Sequence, residues 1–314
     1  MKKHAKKLVT ASTILLTGMY VFNKYIDDHL LSVASPANDK VFIWKDLKIN
    51  YTEKGNNAYP PLLLIHNLYP SSSKEEWSSI DNTLAEKYHI YEIDLPGCGK
   101  SDKPAEIYVN YMFVQLISNF ITKVIGVKTS ICALAFSSSF TIMTARLNPD
   151  LVDKIILINP PSIEILAKAV TKKSEFTKRL IDLPVIGTFL YNCKMCRPAI
   201  ADDYKYIYFY NDKNVSSEAI DHSYYFAHCK NSSGKYLYSS IIGNYTNINI
   251  LHALPKIRNE IHIIGNGSCK PIIQDYKKYN KTVQAQYVSN CRMYPQMEIP
   301  ETIVNKIYAI MERA

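Results

Sequence analysis

The stretch Asp94-Leu95-Pro96-Gly97-Cys98-Gly99-Lys100-Ser101-Asp102-Lys103-Pro104 directly follows a short strand-like run, His89–Ile93. Its prolines and glycines make it a loop, not a continuation of the strand. Upstream, Pro61–Ile65 (PLLLI) is continuously apolar, as expected of a strand buried on both faces. Between the two, Lys74–Tyr88 carries Trp77, Ile80 and Leu84 on one helical stripe. Downstream, an amphipathic helix over Tyr108–Val124 leads to a strand at Thr129–Ala135, a helix at Ser138–Leu147 and a strand at Lys154–Ile158. Such alternation predicts a mostly parallel, doubly wound α/β sheet with right-handed crossovers. Val41–Trp44 and Leu47–Glu53 alternate apolar and polar residues ahead of Gly55 and read as a hairpin.

The alternation stops after Ser162. Residues 162–250 hold helical stretches without a clear buried strand, and read as a helical lid inserted into the sheet. Strand and helix then resume with Ile261–Ile264, Ile272–Asn280, Val283–Ser289 and a last helix from Pro300. The organisation expected is therefore residues 1–40 as a separate leader, 41–161 and 251–314 as one core, and 162–250 as the lid.

Composition excludes several classes. Of 314 residues, 47% are hydrophobic and 21% charged, which rules out a disordered or fibrous chain. Seven cysteines are too dilute for a disulfide scaffold. The net charge of +9 invites anionic partners. Lys2, Lys3, Lys6 and Lys7 supply much of it, however, and no nucleic-acid partner is expected.

Those lysines precede a mostly apolar run, Leu8–Phe22. With Ala5 and a snorkelling Lys7 the run approaches the minimum of about 17 residues for a spanning helix. The expectation is a single membrane anchor over residues 5–22, followed by a stalk over 27–40, with the bulk of the chain extracytoplasmic by the positive-inside rule. A cleaved signal peptide ending near Ser32-Val33-Ala34, or an amphipathic helix docked on the domain, are the competing readings.

Four segments resemble the lidded branch of the α/β-hydrolase fold. They are the loop 94–104; Leu62-Leu63-Leu64-Ile65-His66-Asn67-Leu68, which is similar to that family's strand ending in His-Gly; Asn148-Pro149-Asp150-Leu151-Val152; and Tyr294-Pro295-Gln296-Met297-Glu298-Ile299-Pro300-Glu301 before the last helix. The resemblance implies a nucleophile on a tight strand-to-helix elbow with small residues two before and two after it. Counting back about fourteen residues from Pro149 puts the elbow at Ala133-Leu134-Ala135-Phe136-Ser137. The nucleophile position is then Ala135, whose methyl group has no lone pair for attack. The histidine position matches Met293 and the acid position Ser268. No histidine follows His262, so a shifted alignment restores no base.

The resemblance thus implies a degenerate triad: Ala135, Ser268, Met293. The oxyanion side looks better kept, in the loop His66, Asn67, Leu68, Tyr69 and the amide of Phe136, where backbone donors need no particular side chain. The leading expectation is an inactive pseudo-hydrolase that binds a small hydrophobic or carbonyl-containing ligand, or a partner. One alternative is an active, esterase-like serine hydrolase that uses Ser137 with His66 as base. Another is an interaction protein that works through the lid surface. No cofactor and no metal site are expected: Cys193-Lys194-Met195-Cys196 has zinc or redox spacing but lacks the remaining ligands. The tyrosine run Tyr204, Tyr206, Tyr208, Tyr210 reads as lid packing, with a ligand-facing aromatic wall as the sharper option.

Overall fold

Eight short apolar segments set the architecture. In the computed structural model, which describes residues 2–32 and 39–312, they form one sheet: β1 (Lys40–Trp44), β2 (Leu47–Lys54), β3 (Pro61–Ile65), β4 (His89–Ile93), β5 (Thr129–Leu134), β6 (Val152–Ile158), β7 (Ile261–Gly265) and β8 (Gln284–Tyr287). The strand order is β1-β2-β4-β3-β5-β6-β7-β8. β2 runs antiparallel to both its neighbours; β3 to β8 are parallel. The order jumps at β3, so successive crossover helices lie on opposite faces.

The central strands are apolar on both faces because each face is covered. Leu63 and Ile65 of β3 join Ile131 and Ala133 of β5 in one core layer. Leu62 and Leu64 join Cys132 and Leu134 in the other. The sheet, its crossovers and the helical insertion match the expected fold class. One local expectation differs. Lys74–Tyr88 is not a continuous helix but a tight 3₁₀ turn, Lys74–Trp77, and a short helix, Asp81–Leu84. The Ser73 side chain caps the first turn at the Glu75 amide, and Ser78-Ser79 separates that turn from the short helix. Serine competes for backbone hydrogen bonds and is a weak helix former.

The N-terminal helix runs Lys2–Asp28. Its C-terminal part packs on the insertion, not on the sheet. Phe22 meets Phe189 edge-on with ring centroids 5.3 Å apart. Asn23 donates to the Val185 carbonyl at 3.0 Å and accepts from Asn192 at 3.1 Å. Ser232 donates to Asp27 at 3.2 Å. Preceding residues project, leaving Val9, Ile14, Leu15, Tyr20 and Val21 exposed. Among the described residues no helix is long and apolar enough to cross a membrane, so the expected span finds no support in the helix. The Thr and Lys residues within and before the run dilute its hydropathy. Residues 33–38 of the expected stalk, and Val33-Ala34 of the suggested cleavage site, lie outside the described residues.

Candidate functional site

β5 ends at Leu134 and a helix begins at Ser137. The turn between them is made by Ala135, with φ +47°. Its amide donates to the Ile158 carbonyl at 2.9 Å and its carbonyl accepts from Ser138 at 3.1 Å. Left-handed backbone at a residue bearing a Cβ costs about 1–2 kcal/mol. Ala133 and Ser137, on either side, are fully buried. A sharp strand-to-helix elbow is therefore built, and a methyl group stands at its tip. Gly at this position would relieve the backbone but lose the methyl's burial, about 0.8 kcal/mol. Ala135→Gly is accordingly expected to leave stability within about 1 kcal/mol of the native protein. Ala133→Gly, in the extended strand next door, has no strain to relieve and is expected to destabilise; urea unfolding of the two variants checks the contrast.

Ser137 points into the protein. Its hydroxyl donates to the His66 carbonyl at 2.5 Å. His66 is fully buried, and both its ring nitrogens are engaged: Nε2 accepts from the Leu95 amide at 3.0 Å, and Nδ1 lies 2.5 Å from the Asn67 carbonyl. Those partners fix the neutral tautomer with the proton on Nδ1. Burial also holds its pKa below the usual histidine value. Ser137 and His66 thus meet through a serine hydroxyl and a main-chain carbonyl, not as nucleophile and base.

The other two triad positions lie beyond β7 and β8. Ser268 is exposed, and its hydroxyl donates to Asn266 Oδ1 at 2.6 Å. Met293 is half-buried. Asn159, at the end of β6, laces these loops together. It has φ +45°. Its Nδ2 donates to the carbonyls of Arg292 at 2.7 Å and Met293 at 3.2 Å. Its Oδ1 accepts from the Asn266 amide at 3.2 Å and the Cys269 thiol at 3.1 Å. Ala135, Ser268 and Met293 all open onto one cavity of about 400 Å³, with Phe136, Ile207 and Ile272 as apolar walls.

The oxyanion side departs from the sequence expectation. The Phe136 amide already donates to Asn67 Oδ1 at 3.3 Å, and the Asn67 amide to Glu76 Oε2 at 2.9 Å. Asn67 Nδ2 donates to the Tyr294 hydroxyl at 3.3 Å, which in turn donates to Glu76 Oε1 at 3.2 Å. Burial pushes the Glu76 carboxyl up to about 8, against the hydrogen bonds from Ser72, Asn67 and Tyr294 that favour its ionised form. Two of the expected donors are therefore satisfied within the protein. The sequence signal was Asn67 itself, a side chain with an acceptor where the resembled family has glycine. Leu68 is buried in the core. Tyr69 packs edge-on against Tyr238 under the insertion, and its carbonyl accepts from the Cys98 thiol at 3.2 Å.

The tyrosine run divides. Tyr204 and Tyr208 are buried, and Tyr208 stacks on Tyr294 with centroids 4.5 Å apart. Tyr206 and Tyr210 are exposed.

This geometry has counterparts. The family profile described as the α/β hydrolase fold matches residues 60–181. Solved structures share the fold. A serine hydrolase involved in carbazole degradation is 15% identical with a TM-score of 0.69, covering 87% of this chain and 98% of its own. An epoxide hydrolase is 18% identical with a TM-score of 0.64, covering 87% and 99%. A membrane phospholipase A, described as a bacterial virulence factor, is 19% identical with a TM-score of 0.69. That match covers 99% of this chain and 98% of the phospholipase, so it takes in the N-terminal helix. The chain has the α/β-hydrolase fold. Among relatives in sequence, an uncharacterised protein of Mycobacterium tuberculosis, also found in Mycobacterium bovis, is 27% identical over 126 residues. The match spans 40% of this chain and only 34% of that protein.

Proposed function

We propose that this protein is a non-hydrolysing member of the fold that binds a small apolar or carbonyl-bearing ligand in the cavity at Ala135. The observation that carries the reading is Ala135 itself: the strained elbow is kept, at φ +47°, with a carbon at its tip facing Ser268 and Met293 across one cavity. Ala135, at the elbow tip, has no lone pair with which to attack, and neither the Ser268 hydroxyl nor the Met293 thioether takes up a proton at neutral pH. The apolar walls Phe136, Ile207 and Ile272 favour a hydrophobic ligand. We further propose that the projecting half of the N-terminal helix attaches the protein to a membrane. Its exposed Val9, Ile14, Leu15 and Val21, behind a cluster of lysines, support that reading. So does the helix-inclusive match to a membrane phospholipase.

Calorimetry with methyl decanoate tests the ligand reading. Saturable binding is expected, with the ester recovered intact after prolonged incubation. Ile272→Trp, which fills the cavity, is expected to abolish binding. Conversion to decanoate and methanol, or no binding at all, overturns the proposal.

A further inference from the structure

Beside the inner cavity lies a larger open basin of about 960 Å³. The two share Asn266, Ser268 and Arg292 as lining residues, so they adjoin. Their chemistry differs. The inner cavity is mainly apolar. The basin is lined by Lys270, Arg292 and Lys306 and by no carboxylate. These cations come from three separate elements: the start of the helix Lys270–Tyr279, the loop after β8, and the middle of the last helix, Pro300–Met311. None of the three is paired with an acidic side chain among the described residues.

Glu298, close by in the chain, is engaged by backbone amides. It accepts from the amides of Tyr210 at 2.7 Å, Asn211 at 3.2 Å and Arg292 at 2.7 Å. The Arg292 guanidinium donates to the carbonyls of Lys205 and Tyr206 at 3.1 and 2.6 Å, which hold it in place without neutralising it. Lys306 is half-buried. Two exposed rings, Tyr210 and Tyr287, stand in the same basin, with the Lys270 ammonium 5.8 Å from the Tyr287 ring.

Unpaired like charges converging on a concavity repel one another, and an anion relieves that repulsion. An apolar cavity adjoining a cationic basin matches a molecule with one apolar end and one anionic end. We infer that the basin seats the carboxylate or phosphate head of an amphiphile whose apolar tail enters the cavity at Ala135. This rests on the ligand-binding reading of that cavity and adds the ligand's charge and direction.

Calorimetry below micelle-forming concentrations, using decanoate, decanoyl lysophosphatidate and the neutral methyl decanoate, tests it. Both anions, or one of them, are expected to bind about tenfold more tightly than the neutral ester, the yield of two or three partly exposed ion pairs. Whichever anion is favoured identifies the head as a fatty-acid carboxylate or a lipid phosphate. The K270Q/K306Q double variant is expected to bring the anions to the neutral ester's affinity while leaving the ester's own affinity unchanged. Equal binding of anionic and neutral ligands, or indifference of the anions to K270Q/K306Q, overturns the basin and leaves the inner-cavity reading standing. No binding of any of the three overturns both.

Discussion

A fluorophosphonate probe is expected to label the native protein no more than a heat-denatured control. The Ala135→Ser variant is expected to stay equally dark. A serine placed at the elbow gains a hydroxyl but no partner to take its proton, since Met293 is a thioether and the His66 ring is bound at both nitrogens. Only the A135S/M293H double variant, which supplies hydroxyl and imidazole to the same cavity, is expected to react. General-base assistance raises the rate by roughly 10² to 10⁴ over A135S. Adding Asn67→Gly is expected to increase ester hydrolysis further. It removes the side-chain acceptor that occupies the Phe136 amide, and one freed oxyanion donor is worth about 10² in rate. Time-resolved labelling and p-nitrophenyl butyrate hydrolysis read both steps. Labelling of the native protein at Ser137 would sink the non-hydrolysing reading, because that hydroxyl would then have to leave the His66 carbonyl.

Gly99→Ala is expected to destabilise the fold by about 3 kcal/mol or more, among the largest effects a single methyl group can have. Gly99 has φ +45°, and a Cβ there would fall well inside van der Waals contact with all three carboxyl atoms of Asp94. Asp94 has no room to yield. It is fully buried, and its oxygens accept from the amides of Lys74 at 2.8 Å and Lys100 at 2.9 Å. Its carbonyl accepts from the Ser101 hydroxyl at 2.6 Å, and Ser101 Oγ in turn accepts from the Asn50 amide at 2.8 Å. The methyl would break a buried network that joins β2, the end of β4 and the 3₁₀ turn at Lys74. Gly126→Ala provides the control. It also has positive φ, +78°, but nothing within 4 Å of the added Cβ. Backbone strain alone makes its cost about 1 kcal/mol. Thermal unfolding of both variants separates the two contributions; equal shifts would show that the Asp94 network does not hold the loop.

The sheet was legible because its signals are local. Buried parallel strands such as Pro61–Ile65 must be apolar on both faces, and the loop 94–104 carries turn residues at fixed places. The elbow was legible through spacing: small residues at 133 and 137 and a helix of fixed length put the turn at Ala135, where the positive φ is found. Spacing carried no sign that the Phe136 amide is captured. That contact spans 69 residues and depends on a rotamer of Asn67 held by Tyr294, 227 residues away. The seat of the N-terminal helix was hidden for the same reason. Its partners Val185, Asn192 and Ser232 lie far along the chain, and the apolar run reads alike whether its neighbour is lipid or protein. The pairless cations at 270, 292 and 306 are scattered through three elements and converge only once β7, β8 and the last helix are side by side.

The N-terminal helix touches the insertion through Phe22, Asn23 and Asp27, and the insertion in turn lends Ile207 to the cavity wall. A helix 27 residues long that is held only near its C-terminal end by Val185, Phe189, Asn192 and Ser232 ties whatever its other end meets to the same insertion that borders the cavity.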